Sequence, residues 1–267
     1  VEKGMPVADT VFFGGGTPTR LAPELLASIV NAIPVTSKAE ITIECNPDDV
    51  TVEMMKIYAD AGVNRISMGV QSMVDHVLQS LGRTHDPANV VKAIAAAREG
   101  GITSINLDLI YGVHGESVDD WRTTVEQTIA LQPTHISAYG LTVEAGTPLA
   151  EDPSRHPDDD DQADKYVLAD DLFSAAGLMN YEISNWALAG HECRHNQVYW
   201  SQGNYTGFGC AAHSHLDGRR WWNVRTPDRY IDCVAKNETV EASDEVLDAP
   251  TRAREALELS LRTRDGV

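Results

Sequence analysis

The 267-residue sequence predicts an α/β fold: a partial (βα) barrel of the TIM type, built from parallel strands and followed by an irregular α+β segment. Two observations carry this prediction. Short apolar runs alternate with helical patterns at spacings of roughly 25 to 40 residues, as right-handed parallel crossovers require. Polar residues recur at the carboxyl ends of successive runs, and a barrel brings such ends to one mouth, whereas an open sheet spreads them out.

The first apolar run, residues 11–13, ends at three consecutive glycines, 14–16, followed by Thr17 and Pro18. This stretch is neither a Walker-type phosphate loop nor a G-x-G-x-x-G turn, because no Gly-Lys-Ser/Thr follows and the spacing differs. A tight turn would need only one glycine. Three residues without Cβ atoms let backbone groups approach a ligand closely, which favours a binding site.

The remaining elements follow in order. Thr51 is a predicted helix cap, Asp86 precedes a proline at a helix start, and Ser117 with Asp120 resembles a capping box. Further strands are predicted at 41–44, 65–71, 104–110, 135–141 and 181–186, and helices between them, at 162–176 and at 251–264. Residues 191–222 are rich in His, Trp, Tyr and Gly without periodicity, which predicts irregular chain packed over the barrel mouth.

Two acids, Glu44 and Asp108, lie within or at the ends of buried strands. A buried, unpaired carboxylate costs several kcal/mol, so each requires a cation or hydrogen-bond donors. Arg83 or the amino and hydroxyl groups of a ligand would provide them. An internal salt bridge to an arginine is nearly as well supported.

The composition excludes several classes of function. With 21 Lys and Arg against 40 Asp and Glu, the net charge is −19, so nucleic acid is not an expected partner and an anionic membrane would not attract the chain. The four cysteines are far apart, which indicates reduced thiols in a cytoplasmic protein. No signal peptide or membrane span is recognisable.

The motifs G-G-G-T-P, I-E-C-N-P, G-V-Q-S, L-G-R-T-H and D-L-I-Y-G occur in this order along the chain. Together they resemble the radical S-adenosylmethionine enzymes of the oxygen-independent coproporphyrinogen III oxidase group. The resemblance implies a partial barrel whose mouth holds a [4Fe-4S] cluster and S-adenosylmethionine. It assigns the methionyl and adenine portion to Gly15, Gly16 and Thr17, the amino and carboxylate ends to Glu44 and Arg83, ribose hydroxyls to Gln71 and Asp108, and the adenine side to Thr142.

The cluster-binding C-x-x-x-C-x-x-C loop of that family does not occur in this sequence. We expect the cluster ligands upstream of Val1 and none in this chain, which we therefore interpret as a fragment. The helix at 251–264 agrees, because its apolar stripe has no following partner. The predicted domains are a partial barrel lacking its first strand (1–150), an acidic loop (151–161), the final barrel helix and strand with a haem-binding segment (162–245), and the start of a truncated helical domain (246–267).

The H-N-x-x-Y-W pattern is similar to haem chaperones of this superfamily and not to the true oxidases. It implies haem binding by His195, Asn196, Tyr199 and Trp200. Imidazole is a common axial haem ligand, and aromatic rings offer flat apolar surface. A histidine satisfied by backbone groups is the alternative from the residues alone. A zinc site built from His191, Cys193, His195 and either His213 or His215 is another, although the spacing fits no common zinc module.

The resemblance therefore implies a haem chaperone that passes haem to apo-haemoproteins of respiration, with S-adenosylmethionine and the cluster structural or regulatory and with no catalytic residue assigned. It also allows a homodimer and a peripheral membrane contact. The alternative is a coproporphyrinogen III oxidase, which decarboxylates propionates oxidatively after forming a 5′-deoxyadenosyl radical.

Overall fold

The computed structural model describes residues 5–83 and 85–267, and the chain divides between Glu192 and Cys193 into two compact units. The strands of the first unit are β1 (Ala8–Phe13), β2 (Val35–Cys45), β3 (Arg65–Gln71), β4 (Ser104–Tyr111), β5 (His135–Gly140), β6 (Met179–Glu182) and β7 (Asn185–Ala187). Its helices are α1 (Pro23–Ala32), α2 (Val52–Asp60), α3 (Asp75–Ser80), α4 (Pro87–Glu99), α5 (Val118–Ala130) and α6 (Asp159–Ala175).

These strands form one curled sheet in the order β1-β2-β3-β4-β5-β7-β6. The first five are parallel neighbours in sequence order, each joined to the next by at least one helix. A doubly wound sheet would reverse its strand order at a switch point, and this one does not. The predicted partial (βα) barrel is thereby confirmed.

Local sequence signals fix several helix starts. Thr51 caps α2 and Asp86 caps α4, in each case by accepting a backbone N–H at its side-chain oxygen. Ser117 and Asp120 form a complete capping box at α5. These three predictions are confirmed, and they matter because each cap satisfies backbone donors that a helix start leaves unpaired.

The sheet has one apolar and one polar face, since successive side chains in a strand point to opposite sides. Ile43, Ile66, Met68, Leu107 and Ile136 belong to the apolar face and are fully buried in the core. The alternate positions of β2 to β5 are polar. These positions turn away from that core, which places them on the inner face of the half-barrel.

A buried lysine fastens α6 to the loop that follows β4. The Lys165 Nζ atom lies 3.2 Å from Glu116 Oε2, and neither side chain is exposed. It also lies 2.7 Å from Asp161 Oδ2 and donates a 2.8 Å hydrogen bond to the backbone carbonyl of Glu116. Glu116 in turn accepts the backbone N–H of Gly112 at 2.8 Å.

Several predicted boundaries differ from the structure, and β2, for example, begins at Val35 and not at residue 41. Residues 181–186, predicted as one strand, instead turn between β6 and β7, which pair antiparallel, and β7 pairs antiparallel with β5. Helix α6 begins at Asp159, earlier than predicted, because the Asp158 carboxylate caps it by accepting the N–H of Asp161. Acidic residues in the first turn also face the positive end of the helix dipole.

The second unit contains α7 (Arg194–Trp200), β8 (His213–Leu216), β9 (Arg219–Asn223), α8 (Pro227–Ala235), β10 (Glu241–Val246) and α9 (Ala249–Ser260). Its strands form an antiparallel sheet in the order β10-β9-β8. The prediction of irregular chain over 191–222 is therefore wrong in part, because aromatic residues at β8 and β9 mask the alternation. Across the described parts of both units, we find no helix with the length and apolarity that a membrane span demands.

Candidate functional site

The glycine turn after β1 meets the carboxylate at the end of β2. The backbone N–H of Gly15 donates a 3.1 Å hydrogen bond to Glu44 Oε2. Gly15 and Gly16 adopt positive φ angles of 79° and 62°, a region that favours glycine. A Cβ atom on Gly14 would lie 3.1 Å from the Glu44 carboxyl carbon and 2.6 Å from the Phe12 ring. The turn therefore requires a bare residue beside Glu44.

At the end of β3, Gln71 has a φ of 64° and marks a register shift against β4. Its side chain folds back along the strand, since its Nε2 atom would lie 3.0 Å from a Cβ placed on Gly69. Gly69 is the register partner of Asp108. The predicted ribose residues Gln71 and Asp108 thus lie on neighbouring positions of the same sheet face.

The carboxyl group of Asp108 is held by side-chain donors. Ser67 Oγ donates to its Oδ2 atom at 2.9 Å, and Asn106 Nδ2 donates to its Oδ1 atom at 2.8 Å. Asn106 Nδ2 also donates to Ser67 Oγ at 2.7 Å. Behind this group, Asn106 Oδ1 lies 2.6 Å from His135 Nδ1, and His135 Nε2 lies 2.8 Å from the hydroxyl of Tyr181.

Both acids have pKa values above the ordinary carboxyl range. Burial raises the pKa of Glu44, the Gly15 N–H lowers it, and the charge of Asp108 raises it. Burial also raises the pKa of Asp108, against hydrogen bonds from neighbouring side chains and the charge of Arg65, which lower it. A positively charged ligand between the two carboxyl groups would relieve both penalties.

Within the described residues, neither Glu44 nor Asp108 forms an ion pair with a lysine or arginine, so the alternative of an internal salt bridge is not supported. The structure does not bring every predicted residue into the site. Arg83 is exposed after α3, and no ion pair involves it in the described ranges. Thr17 and Thr142 are also exposed, and the Thr142 hydroxyl donates to the Gly140 carbonyl at 3.4 Å.

Several polar residues of this face were not predicted from the sequence. They are Arg65, Ser67, Asn106, His135, Ser137 and Tyr181. The usable signal was alternation: R-I-S-M-G-V-Q, S-I-N-L-D-L and H-I-S-A-Y-G each place a polar or small residue at every second position. Reading both faces of each strand would have found all but Tyr181.

The second predicted site lies on α7. His195 and Tyr199 are one helical turn apart, and His195 Nε2 lies 2.8 Å from the Tyr199 hydroxyl. Their rings meet edge to face with centroids 5.2 Å apart, and Tyr199 meets Tyr205 in the same way at 4.8 Å. Burial raises the pKa of Tyr199 above its ordinary value, so its hydroxyl stays neutral.

Asn196 and Trp200 form the neighbouring stripe of α7, and both are half-buried. The Trp200 Nε1 atom is buried and finds no hydrogen-bond partner among the described residues, while the Arg262 guanidinium lies 5.9 Å from its ring centroid. Phe208 leaves 64% of its surface exposed. For zinc, no group of three or more His, Cys, Asp or Glu in the described ranges could hold a metal ion.

Three comparisons with known proteins bear on these sites. A profile of the Radical SAM superfamily matches residues 3–128. This range contains every residue assigned to S-adenosylmethionine except Thr142.

Curated relatives extend the likeness over the whole chain. A protein of Mycobacterium tuberculosis named "Heme chaperone HemW" is 40% identical over 270 residues, which is 98% of this chain and 69% of that protein. The Bacillus subtilis protein of the same name is 36% identical over 275 residues, 100% of this chain and 73% of that protein. Both matches therefore extend over α7 of this chain.

Among solved structures, coproporphyrinogen III oxidase (HemN) from Escherichia coli superposes with a TM-score of 0.83 at 22% identity. The superposition covers 96% of this chain and 63% of that chain. At this level of identity the likeness concerns the fold.

Proposed function

This chain belongs to the Heme chaperone HemW family within the radical SAM superfamily, and from that premise we propose that it binds haem and delivers it to apo-haemoproteins. Respiratory haemoproteins are the proposed recipients. The likeness to an oxidase is one of fold, and no separate observation on this chain favours oxidase activity. A homodimer and a peripheral membrane contact stay predictions.

The position of His195 supports the haem proposal most. Its half-buried imidazole lies in the first turn of α7, and its Nε2 atom faces a neutral hydroxyl, which iron can replace as a partner. Tyr199 and Trp200 provide aromatic surface on the same helix, and exposed Phe208 provides more in the same unit. These groups suit a flat apolar ring with a metal at its centre.

Replacement of His195 by alanine tests this proposal. We expect haemin to shift the Soret band of the wild-type protein, and His195→Ala to bind haemin at least tenfold more weakly with an altered band, because the axial nitrogen is gone. Spectrophotometric titration measures both. His213→Ala is the matched control, since His213 is an exposed histidine of the same unit, and it should titrate like wild type. An unchanged Soret shift in His195→Ala would refute the assignment.

We also propose that the inner face of the half-barrel binds S-adenosylmethionine. The fit rests on the bare turn beside Glu44 and on two carboxyl groups whose burial calls for a cation. Glu44 would hold the amino end, and Gln71 and Asp108 would take ribose hydroxyls. When bound, S-adenosylmethionine supplies a sulfonium-activated adenosyl group. Arg83 and Thr142 remain proposed contacts at the carboxylate and adenine ends.

The described residues do not fit a [4Fe-4S] cluster. Such clusters take cysteine thiolates, and no group of three or more metal-binding side chains is found in the described ranges. Burial raises the pKa of the Cys45 thiol, so this cysteine stays protonated beside Glu44.

A further inference from the structure

We infer that Tyr181 and His135 are positioning residues for Asp108 and hold its carboxylate, through Asn106, in the orientation that accepts ribose hydroxyls. Neither was singled out by the sequence, and both lie away from the mouth of the half-barrel. The inference rests on the proposed S-adenosylmethionine site. It is argued from a series of hydrogen bonds in which Tyr181 donates to His135, His135 donates to Asn106, and Asn106 donates to Asp108.

The direction is set at Asp108. An ionised carboxylate only accepts hydrogen bonds, so the amide nitrogen of Asn106, at 2.8 Å, must face its Oδ1 atom. Ser67 agrees with this orientation, because its hydroxyl donates to Asp108 and accepts from the same amide nitrogen. The carbonyl oxygen of Asn106 consequently points to the other side, toward His135.

The carbonyl oxygen of Asn106 determines which ring nitrogen of His135 carries the proton. Asn106 Oδ1 lies 2.6 Å from His135 Nδ1, and an amide oxygen can only accept, so Nδ1 carries a hydrogen. The ring is neutral, since burial lowers the pKa of His135 well below its ordinary value, as do the charges of Arg65 and His191. Nε2 therefore holds a lone pair, and the Tyr181 hydroxyl, 2.8 Å away, donates to it.

This series of hydrogen bonds runs across the sheet. Tyr181 is on β6, His135 on β5, and Asn106 with Asp108 on β4, with β7 lying between β5 and β6. His135 and Asn106 are register partners. Other charged groups also act on Asp108, namely Glu44 from β2 and Arg65 from β3, and neither belongs to these hydrogen bonds. The far edge of the sheet thus governs a carboxylate in the proposed cofactor site.

Tyr181→Phe interrupts this series of hydrogen bonds, because it removes the hydroxyl that donates to His135. The Nε2 lone pair of His135 then loses its donor, so the imidazole can turn and its Nδ1–H bond to the Asn106 oxygen weakens. Ser137 Oγ still donates to the same oxygen at 3.2 Å, so the Asn106 amide that donates to Asp108 is loosened and not released. We expect about fivefold weaker binding of S-adenosylmethionine, measured by isothermal titration. Tyr58→Phe is the matched control, since its buried hydroxyl has no hydrogen-bond partner among the described residues, and its affinity should equal that of wild type.

Substitutions of His135 separate positioning from packing. His135→Asn keeps an N–H donor near the Nδ1 position and should bind within about twofold of wild type, whereas His135→Leu should lose about tenfold. If both variants bind equally, the residue only fills space and the inference fails.

The tautomer provides a readout that needs no ligand. Long-range ¹⁵N–¹H spectra of histidine-labelled protein should show His135 protonated at Nδ1 in wild type, and in Tyr181→Phe a shifted Nε2 resonance, because the Nε2 lone pair has lost its hydrogen bond. If His135 of the wild-type protein is protonated at Nε2, the inferred direction of these hydrogen bonds is wrong. Wild-type protein that fails to bind S-adenosylmethionine would refute the proposed site, and these spectra would still decide the direction of the hydrogen bonds.

Discussion

Replacing Lys165 by methionine is expected to lower the free energy of unfolding by about 3–5 kcal/mol. The Lys165 ammonium lies in the first unit with no exposed side-chain surface, within 3.2 Å of Glu116 and 2.7 Å of Asp161. Methionine keeps the length and apolar volume of the side chain but leaves the Glu116 carboxylate buried without its counter-charge. Urea denaturation followed by circular dichroism measures the loss.

The pH dependence of this loss has a definite sign. Burial already raises the folded-state pKa of Glu116, and the charge of Lys165 opposes that rise. A carboxyl group whose pKa is higher in the folded state than in the unfolded state stabilises the fold in its protonated form. This stabilisation is complete at a pH below the unfolded-state pKa, and it is lost as the pH rises through the folded-state pKa. Without Lys165 the folded pKa rises further, so the loss in Lys165→Met should be smaller at acidic pH than at neutral pH.

Two further variants serve as controls for the loss of stability in Lys165→Met. Lys165→Met combined with Glu116→Gln removes both charges and keeps an acceptor for the Gly112 N–H, so it should recover most of the stability. Lys236→Met removes an exposed partner of Asp232 and should cost less than about 1 kcal/mol. A loss that is the same for Lys165→Met and Lys236→Met, or that does not change with pH, would contradict the role given to the buried pair.

Gly14→Ala is expected to weaken S-adenosylmethionine binding at least tenfold, which corresponds to about 1.4 kcal/mol. The added Cβ atom would lie 2.6 Å from the Phe12 ring and 3.1 Å from the Glu44 carboxyl group, so one or both must move. A displaced Glu44 loses the hydrogen bond from the Gly15 N–H. Since that bond lowers the pKa of Glu44, the pKa should also rise further, which ¹³C spectra of the carboxyl group would detect.

Gly190→Ala is the matched control for this effect, because Gly190 follows β7 and is not assigned to the ligand. A Cβ atom on Gly190 would meet no other atom within 4 Å, but the φ of 82° would strain an alanine by about 1–2 kcal/mol. This variant should therefore lose stability with little change in affinity, the reverse of Gly14→Ala. Unchanged affinity and an unchanged Glu44 pKa in Gly14→Ala would show that the turn does not position this carboxylate.

The parallel part of the fold was predictable because each strand there repeats one local pattern. A buried run, a cap such as Thr51 or Ser117, and a helix of fixed period follow one another, and short crossovers leave few arrangements. The hairpin of β6 and β7 was not predictable in the same way. Its strands span only a few residues each, and the turn between them, at Ile183 and Ser184, carries no glycine or proline signal.

For the candidate site, the sequence predicted the acidic residues themselves better than the residues to which they are hydrogen-bonded. Glu44 and Asp108 were found because an acid inside an apolar run is conspicuous. The donors that hold Asp108 were not, since Ser67 and Asn106 are small polar residues, common on any strand. The link from His135 to Tyr181 joins residues 46 apart in sequence, and no local period encodes such a contact.

Each of these strands has one polar and one apolar face, so the inner face of the half-barrel depends on the length of the strands as well as on the identity of their residues. In β4, polar Asn106 and Asp108 alternate with buried Leu107 and Leu109. One extra residue within this strand would exchange its faces, sending leucines into the pocket and a carboxylate into the core. Insertions and deletions are therefore tolerable in the loops of the half-barrel but not in its strands, so relatives should vary in length between these strands and keep each strand at constant length.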